Sequence, residues 1–127
     1  MSSKPTAISL FSGMGGDSLG IQKAGFDIIA FNEFDKAAVK SHLENFPDSI
    51  LIQDPTQKKA KDKINIQVIP DEMFSIYKDI VDLIFAGHPC QGFSNGGKKL
   101  PDDPRNTLFR EFARVCRLVK PKYIIGE

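Results

Sequence analysis

"AISLFSGMGGDSLGIQKAGFDIIAFNE", residues 7–33, carries the pattern that decides the fold. An apolar run, AISLF (7–11), breaks into the glycine-rich turn SGMGG (12–16), and a helical stretch follows as far as Gly25. A second apolar run, DIIAFN (27–32), comes directly after. A strand with one face in water alternates apolar and polar residues, whereas a strand covered on both faces reads as a continuous apolar run. The stretch therefore reads as strand, turn, helix, strand, the unit from which parallel sheets are built.

The same order repeats outward from there. Asp35 is placed to cap a helix through KAAVKSHLENF (36–46), which Pro47 stops. SILI (49–52) is a short third strand, and the polar segment from Pro55 to about Asn65 is a loop. DEMFSIYKDI (71–80) reads as a weak helix and VDLIFAG (81–87) as a fourth buried strand. After a loop-like stretch, Asp103 and Pro104 make an N-cap and first helical position. In the helix that follows, Leu108, Phe112, Val115, Cys116 and Val119 share one face. Pro121 ends it, and KYIIG (122–126) opens a fifth strand. Strands alternating with helices predict an α/β fold with a doubly wound, mainly parallel sheet. Such sheets bind ligands beyond the carboxyl ends of their strands, near the point where strand order reverses. Residues 13–16, Glu33, Asp54 and residues 88–91 all fall at those ends.

Composition narrows the class. At 127 residues the chain makes one domain, and 41% hydrophobic with 26% charged residues is the balance of a soluble globular protein. A net charge of +1 gives no bulk signature of a polyanionic partner, so any nucleic-acid role must rest on local residues. Two cysteines without CxxC spacing point to neither a disulfide framework nor a metal site, and predict a reduced, intracellular protein. No apolar stretch approaches the ~20 residues that span a bilayer, and the N-terminus is no secretory signal, so no membrane role is expected.

Each strand-end residue admits two readings. Gly13, Gly15 and Gly16 suit a sharp strand-to-helix turn, with or without a ligand against its backbone. Ser18 stands where a dinucleotide fingerprint would have glycine or alanine. Glu33, 20 positions after Gly13, is placed to accept hydrogen bonds from ribose hydroxyls, or is a solvated strand-end acid. Asp54 could accept from an exocyclic amine or start a turn with Pro55. Phe34 could offer a face to an adenine ring or belong to the core. Cys116 sits on an apolar helical stripe, as a free cysteine usually does. Cys90, between Pro89 and Gln91 in the small, polar run GHPCQGFSNGG (87–97), is instead placed as a nucleophile, with His88 shaping the loop. A glycine turn with Glu33 would also serve a nicotinamide oxidoreductase half-domain.

The stretches LFSGMGG, NEFDKAAVKSHLENFP, DLIFAGHPCQGFS and RNTLFREFARVCRLVKPKYIIGE, in this order, resemble the N-terminal part of a C5-cytosine DNA methyltransferase. The resemblance implies the Rossmann-like fold of S-adenosylmethionine-dependent methyltransferases, with S-adenosylmethionine as cofactor and S-adenosylhomocysteine as product. It places Phe11, Ser12, Gly13, Met14, Gly15 and Gly16 around the methionine part, Glu33 on the ribose, and Phe34 and Asp54 at the adenine, with Pro89 beside the cofactor. It makes Cys90 the nucleophile that adds to C6 of a flipped cytosine, and Glu127 the acid at N3. Gln91, Ser94, Lys98, Lys99 and Arg105 fall in or beside the family's DNA-closing loop. DNA is the implied partner, with RNA an alternative substrate, in a cytoplasmic restriction–modification or a nuclear setting. Ser9 replaces a frequent aspartate, and His88 a frequent second proline. Residues 1–127 then form the N-terminal part of a C-terminally truncated catalytic domain, without the later motifs or the target-recognition domain. On that reading the chain alone lacks sequence-specific methylation. It is a fragment, a non-catalytic relative, or a split-enzyme subunit with a complementary C-terminal chain as partner.

Overall fold

The computed structural model describes residues 4–12, 15–87 and 104–126. Its strands are β1 (Thr6–Leu10), β2 (Asp27–Asn32), β3 (Ile50–Leu51), β4 (Leu83–Ala86) and β5 (Tyr123–Gly126). They pair in parallel in the order β3-β2-β1-β4-β5. Strand order reverses between β1 and β4, so the doubly wound parallel sheet expected from the apolar runs is present, with its switch point at β1.

Two longer helices, α1 (Gly16–Lys23) and α2 (Lys36–Asn45), connect β1, β2 and β3. The first closes as Gly25 predicts. Gly25, at φ 107°, donates its N–H to Gln22, and Phe26 donates back to Ile21. That is a Schellman ending, and Ile21 and Phe26 both pack against the apolar layer of Ala7, Ile28, Phe46, Leu83 and Phe85. Asp35 caps α2 by accepting from the Ala37 and Ala38 N–H groups. Ala38 and His42 are buried on α2, with Phe46 one further turn along at its end.

Single turns α3 (Ala60–Lys63) and α4 (Glu72–Ser75) precede β4, and α5 (Pro104–Val119) follows it. The expected loop at 55–65 thus contains one helical turn. The expected helix at 71–80 reduces to one turn, because only Phe74 on α4 is buried and Asp79 adopts φ 66°. On α5, Phe112, Val115 and Val119 are buried and Leu108 and Cys116 half-buried, as their spacing predicts.

The sheet separates two apolar layers. Ile8, Leu10, Ala30, Ile84 and Ala86 face α5 and the segment 64–81. Ala7, Ile28, Leu83 and Phe85 face the α1–α2 side with Phe46. Ile28 and Ala30 reach opposite layers because Ala7 pairs with Ile28 while Ile8 pairs with Ala30, a bulge that places Ile29 as an extra residue. β5 forms one sheet edge, with Tyr123, Ile124 and Ile125 exposed. Among the described residues no helix is long and apolar enough to cross a membrane.

Candidate cofactor site at the strand ends

β1 ends one residue earlier than its apolar run, because Phe11 turns into the left-handed region at φ 54°. That conformation costs a bulky residue about 1–2 kcal/mol, and the surrounding hydrogen bonds hold it. Phe11 N–H still donates to Asn32 O at 3.0 Å, and Gly87 N–H donates to Leu10 O at 3.1 Å. A Cβ on Gly87 would lie 2.6 Å from the Phe11 carbonyl oxygen, so a glycine is what lets β4 end against the turn of β1.

A cleft of about 330 Å³ opens there. Phe11, Asn32, Glu33 and Phe34, from the ends of β1 and β2, line one side. Asn65, Ile66, Gln67 and Leu108 line the other. The Glu33 Oε2 atom accepts from Asp35 N–H at 2.7 Å, which holds this carboxylate at the rim. The Phe34 ring is 55% exposed, leaving a face open to a planar ligand. Asn32 is buried and donates from Nδ2 to the carbonyls of Ile52 (2.9 Å) and Ile64 (3.2 Å), joining β2 to β3 and to the far wall.

That far wall is held by Arg114 of α5. Its Nη2 donates to Ile66 O at 2.8 Å and its Nη1 to Ile69 O at 3.2 Å. Carboxylates of Glu111 and Asp71 flank the guanidinium at 2.7 and 2.6 Å, and the ring centre of Phe74 lies 5.3 Å away.

Beneath the glycine turn lies a buried polar cluster. Ser9 Oγ and Ser12 Oγ are 2.7 Å apart, and Ser12 Oγ also donates to Ser9 O (3.2 Å) and Asn32 O (3.4 Å). Ser18 Oγ donates to Ser9 Oγ at 3.1 Å and meets His42 Nε2 at 2.9 Å. The His42 ring stacks on Phe31 with centroids 3.9 Å apart. Burial pushes its pKa down to about 4, against a smaller opposing pull from Glu33.

Phe11, Glu33 and Phe34 are thus brought to one cleft. Ser12, Gly15 and Gly16 form the turn beside it, Gly16 opening α1. Asp54 is not among the cleft's described lining residues. Its carboxylate accepts from Thr56 Oγ1 (2.6 Å), Thr56 N–H (3.0 Å) and Gln57 Nε2 (3.2 Å). Those bonds, the Thr56 hydroxyl first, hold the acid below its ordinary range. Asp54 closes a turn here, one of its two expected roles. Gly13, Met14, His88, Pro89, Cys90, Gln91, Ser94, Lys98, Lys99 and Glu127 lie outside the described residues, as does the side chain of Arg105. Cys116 has a thiol that burial pushes up to about 11, so it is no thiolate at neutral pH. Among the described residues no cluster of His, Cys, Asp or Glu could hold a metal.

Asn32, Asn65, Ile66, Gln67 and Leu108 were not read as site residues from the sequence. The signal for the far wall was INIQVI (64–69), whose apolar residues at 64, 66 and 69 mark a segment packed on the core rather than a free loop.

A doubly wound parallel sheet with a glycine turn after β1 and a cleft across the ends of β1 and β2 places the chain in the Rossmann-like α/β class. Among solved structures, an E. coli prophage-encoded protein assigned as a DNA modification methyltransferase superposes with TM-score 0.72 at 33% identity, over 96% of this chain and 31% of that one. S. pombe Dnmt2 methyltransferase shares the fold at TM-score 0.63 and 21% identity, over 97% of this chain and 35% of that one.

The chain belongs to the C-5 cytosine-specific DNA methylase family, whose profile matches residues 6–127. It is 38% identical over 127 residues to the Type II methyltransferase M.XorII of Xanthomonas oryzae pv. oryzae. It is 38% identical over 125 residues to the Type II methyltransferase M1.HphI of Haemophilus parahaemolyticus. The matches cover 98% and 96% of this chain, but only 28% and 32% of those relatives.

Proposed function

We propose that residues 1–127 form the N-terminal, cofactor-binding part of the catalytic domain of a DNA cytosine-C5 methyltransferase that uses S-adenosylmethionine. The observation that carries this reading is the strand-end cleft, which an acid, Glu33, and two aromatic residues, Phe11 and Phe34, line together. Its volume of about 330 Å³ is at the lower end of small-ligand sites and suits a nucleoside. Glu33 accepts from the ribose hydroxyls and Phe34 stacks on the adenine. The glycine turn from Ser12 to Gly16 lets backbone N–H groups approach the methionine part.

The cofactor supplies an electrophilic methyl group when bound. The rest of the chemistry falls to this chain's side chains and to the base. Cytosine C5 is a poor nucleophile, and addition of the Cys90 thiolate to C6 makes the ring enamine-like. A protonated Glu127, hydrogen-bonded at N3, stabilises the charge that develops on the ring. After methylation a base removes the C5 proton, and elimination restores the thiolate. A cytosine within a duplex must first leave the stack. Gln91, Ser94, Lys98, Lys99 and Arg105 contact the DNA around it. Sequence-specific methylation then requires the remaining catalytic motifs and a target-recognition region, from the same or a second chain.

Calorimetric titration with S-adenosylmethionine, S-adenosylhomocysteine and NAD in parallel tests the cofactor. Saturable binding of the first two without NAD is expected. Binding of NAD in their place would overturn the reading.

A further inference from the structure

Proton counting orders the cluster under the glycine turn. Each serine hydroxyl has one proton to donate and lone pairs to accept with. Either hydroxyl fits as donor across the 2.7 Å Ser9–Ser12 contact; with the Ser12 proton directed at the carbonyls of Ser9 and Asn32, Ser9 is the donor there. Ser9 Oγ in turn accepts from Ser18. With its proton spent there, Ser18 can only accept at its 2.9 Å contact with His42, so His42 Nε2 carries the ring proton. Nδ1 is then an unprotonated acceptor. It is buried without a partner among the described residues, and an unpaired acceptor is better tolerated there than an unpaired N–H.

The same ring also limits the space beside the turn. Gly15 has φ 98°, and a Cβ there would stand 3.1 Å from the Phe46 ring and 3.4 Å from His42 Cδ2. Gly15 N–H donates to Ser12 O at 3.1 Å. His42 therefore meets one end of the turn by packing and the other through three hydroxyls.

We propose that His42 of α2 is a positioning residue for Ser12 and Gly15, which flank the glycine turn: as its Nε2–H tautomer it orders a one-way chain of donors, through Ser18 and Ser9 to Ser12, that fixes these two residues before any ligand arrives. The consequence for affinity rests on the cofactor reading above, but the tautomer and the turn's order do not.

Ring-nitrogen NMR of the unliganded chain tests the first part without any variant. A protonated Nε2 and bare Nδ1 are expected, and the Nδ1–H tautomer would overturn the proposal. Amide exchange at Gly15 tests the second part, with Ser18→Ala against Ser49→Ala. Ser49 Oγ is buried without a partner among the described residues, so its loss breaks no donor chain. Ser18→Ala should speed Gly15 exchange while Ser49→Ala does not, and equal exchange in both would overturn the relay. Ser18→Ala should also weaken S-adenosylhomocysteine binding about two- to tenfold, the value of one hydrogen bond. If the wild-type chain binds no S-adenosylhomocysteine, that counts against the cofactor reading, and the two ligand-free spectra still decide the relay.

Discussion

Replacing Gly87 by alanine tests how the ends of β1 and β4 close against each other. The added Cβ would sit 2.6 Å from the Phe11 carbonyl oxygen, a backbone atom that cannot swing aside as a side-chain tip could. Phe11 is already in the left-handed region and is tied to Asn32, so relief must come from moving its peptide or the end of β4. Overpacking of this kind costs about 1–3 kcal/mol. For 127 residues, an unfolding entropy of about 2.1 cal/mol/K per residue converts each kcal/mol to about 4 °C. Gly87→Ala should therefore lower Tm by about 4–12 °C. It should also weaken S-adenosylhomocysteine binding, because Phe11 lines the cleft. Gly20→Ala is the matched control: it lies inside α1 with nothing within 4 Å of the new Cβ. Removing a helical glycine there should raise Tm by about 2–4 °C. Thermal unfolding followed by circular dichroism, with titrations on the same samples, reads both. A Gly87→Ala chain that melts and binds as wild type would refute the close-approach reasoning.

Three further outcomes follow from the site. Phe34→Ala should leave Tm nearly unchanged, since the ring is 55% exposed, but weaken S-adenosylhomocysteine by roughly five- to a hundredfold, the range for a lost base–aromatic stack. Arg114→Ala releases the carbonyls of Ile66 and Ile69, and should destabilise the chain by about 2–3 kcal/mol in urea titrations, with Arg114→Lys in between. His42 has its pKa lowered from 6.5 to about 4, so between those values the unfolded chain binds a proton that the folded chain refuses. The His42 contribution is thus fully favourable above pH 6.5 and is lost as pH falls towards 4, by about 2 kcal/mol at pH 5. An NMR titration showing His42 protonated near 6.5 in the folded chain would refute that assignment.

The apolar runs foretold β2 and β4 because strands covered on both faces have no polar phase to confuse the reading. Asp35 and Pro47 bracketed α2 within a residue of its observed ends, and the α5 stripe was legible because one face meets the core. Phe11 was foreseen at the site but placed inside β1, since a left-handed phenylalanine leaves no mark in the local pattern. The far wall escaped notice because the lysines of residues 55–65 concealed the apolar positions that begin at Ile64. Asp54 was ambiguous from sequence, where turn closure and ligand contact call for the same residue type. The cluster joining Ser9, Ser12, Ser18 and His42 could not be read, because its bonds span up to 24 positions and depend on how α1 and α2 lie on the sheet.

The bulge at Ile29 affects how relatives should be aligned. Glu33 stands 20 positions after Gly13 in this chain, but one of those positions advances β2 without advancing its pairing to β1. A relative with a straight second strand would present its acid at the same point in space after one residue fewer. Counting intervals would score it as a mismatch, while superposition would score it as identical. The gap in such an alignment belongs at residue 29, inside a strand, where gap penalties are usually set to forbid it.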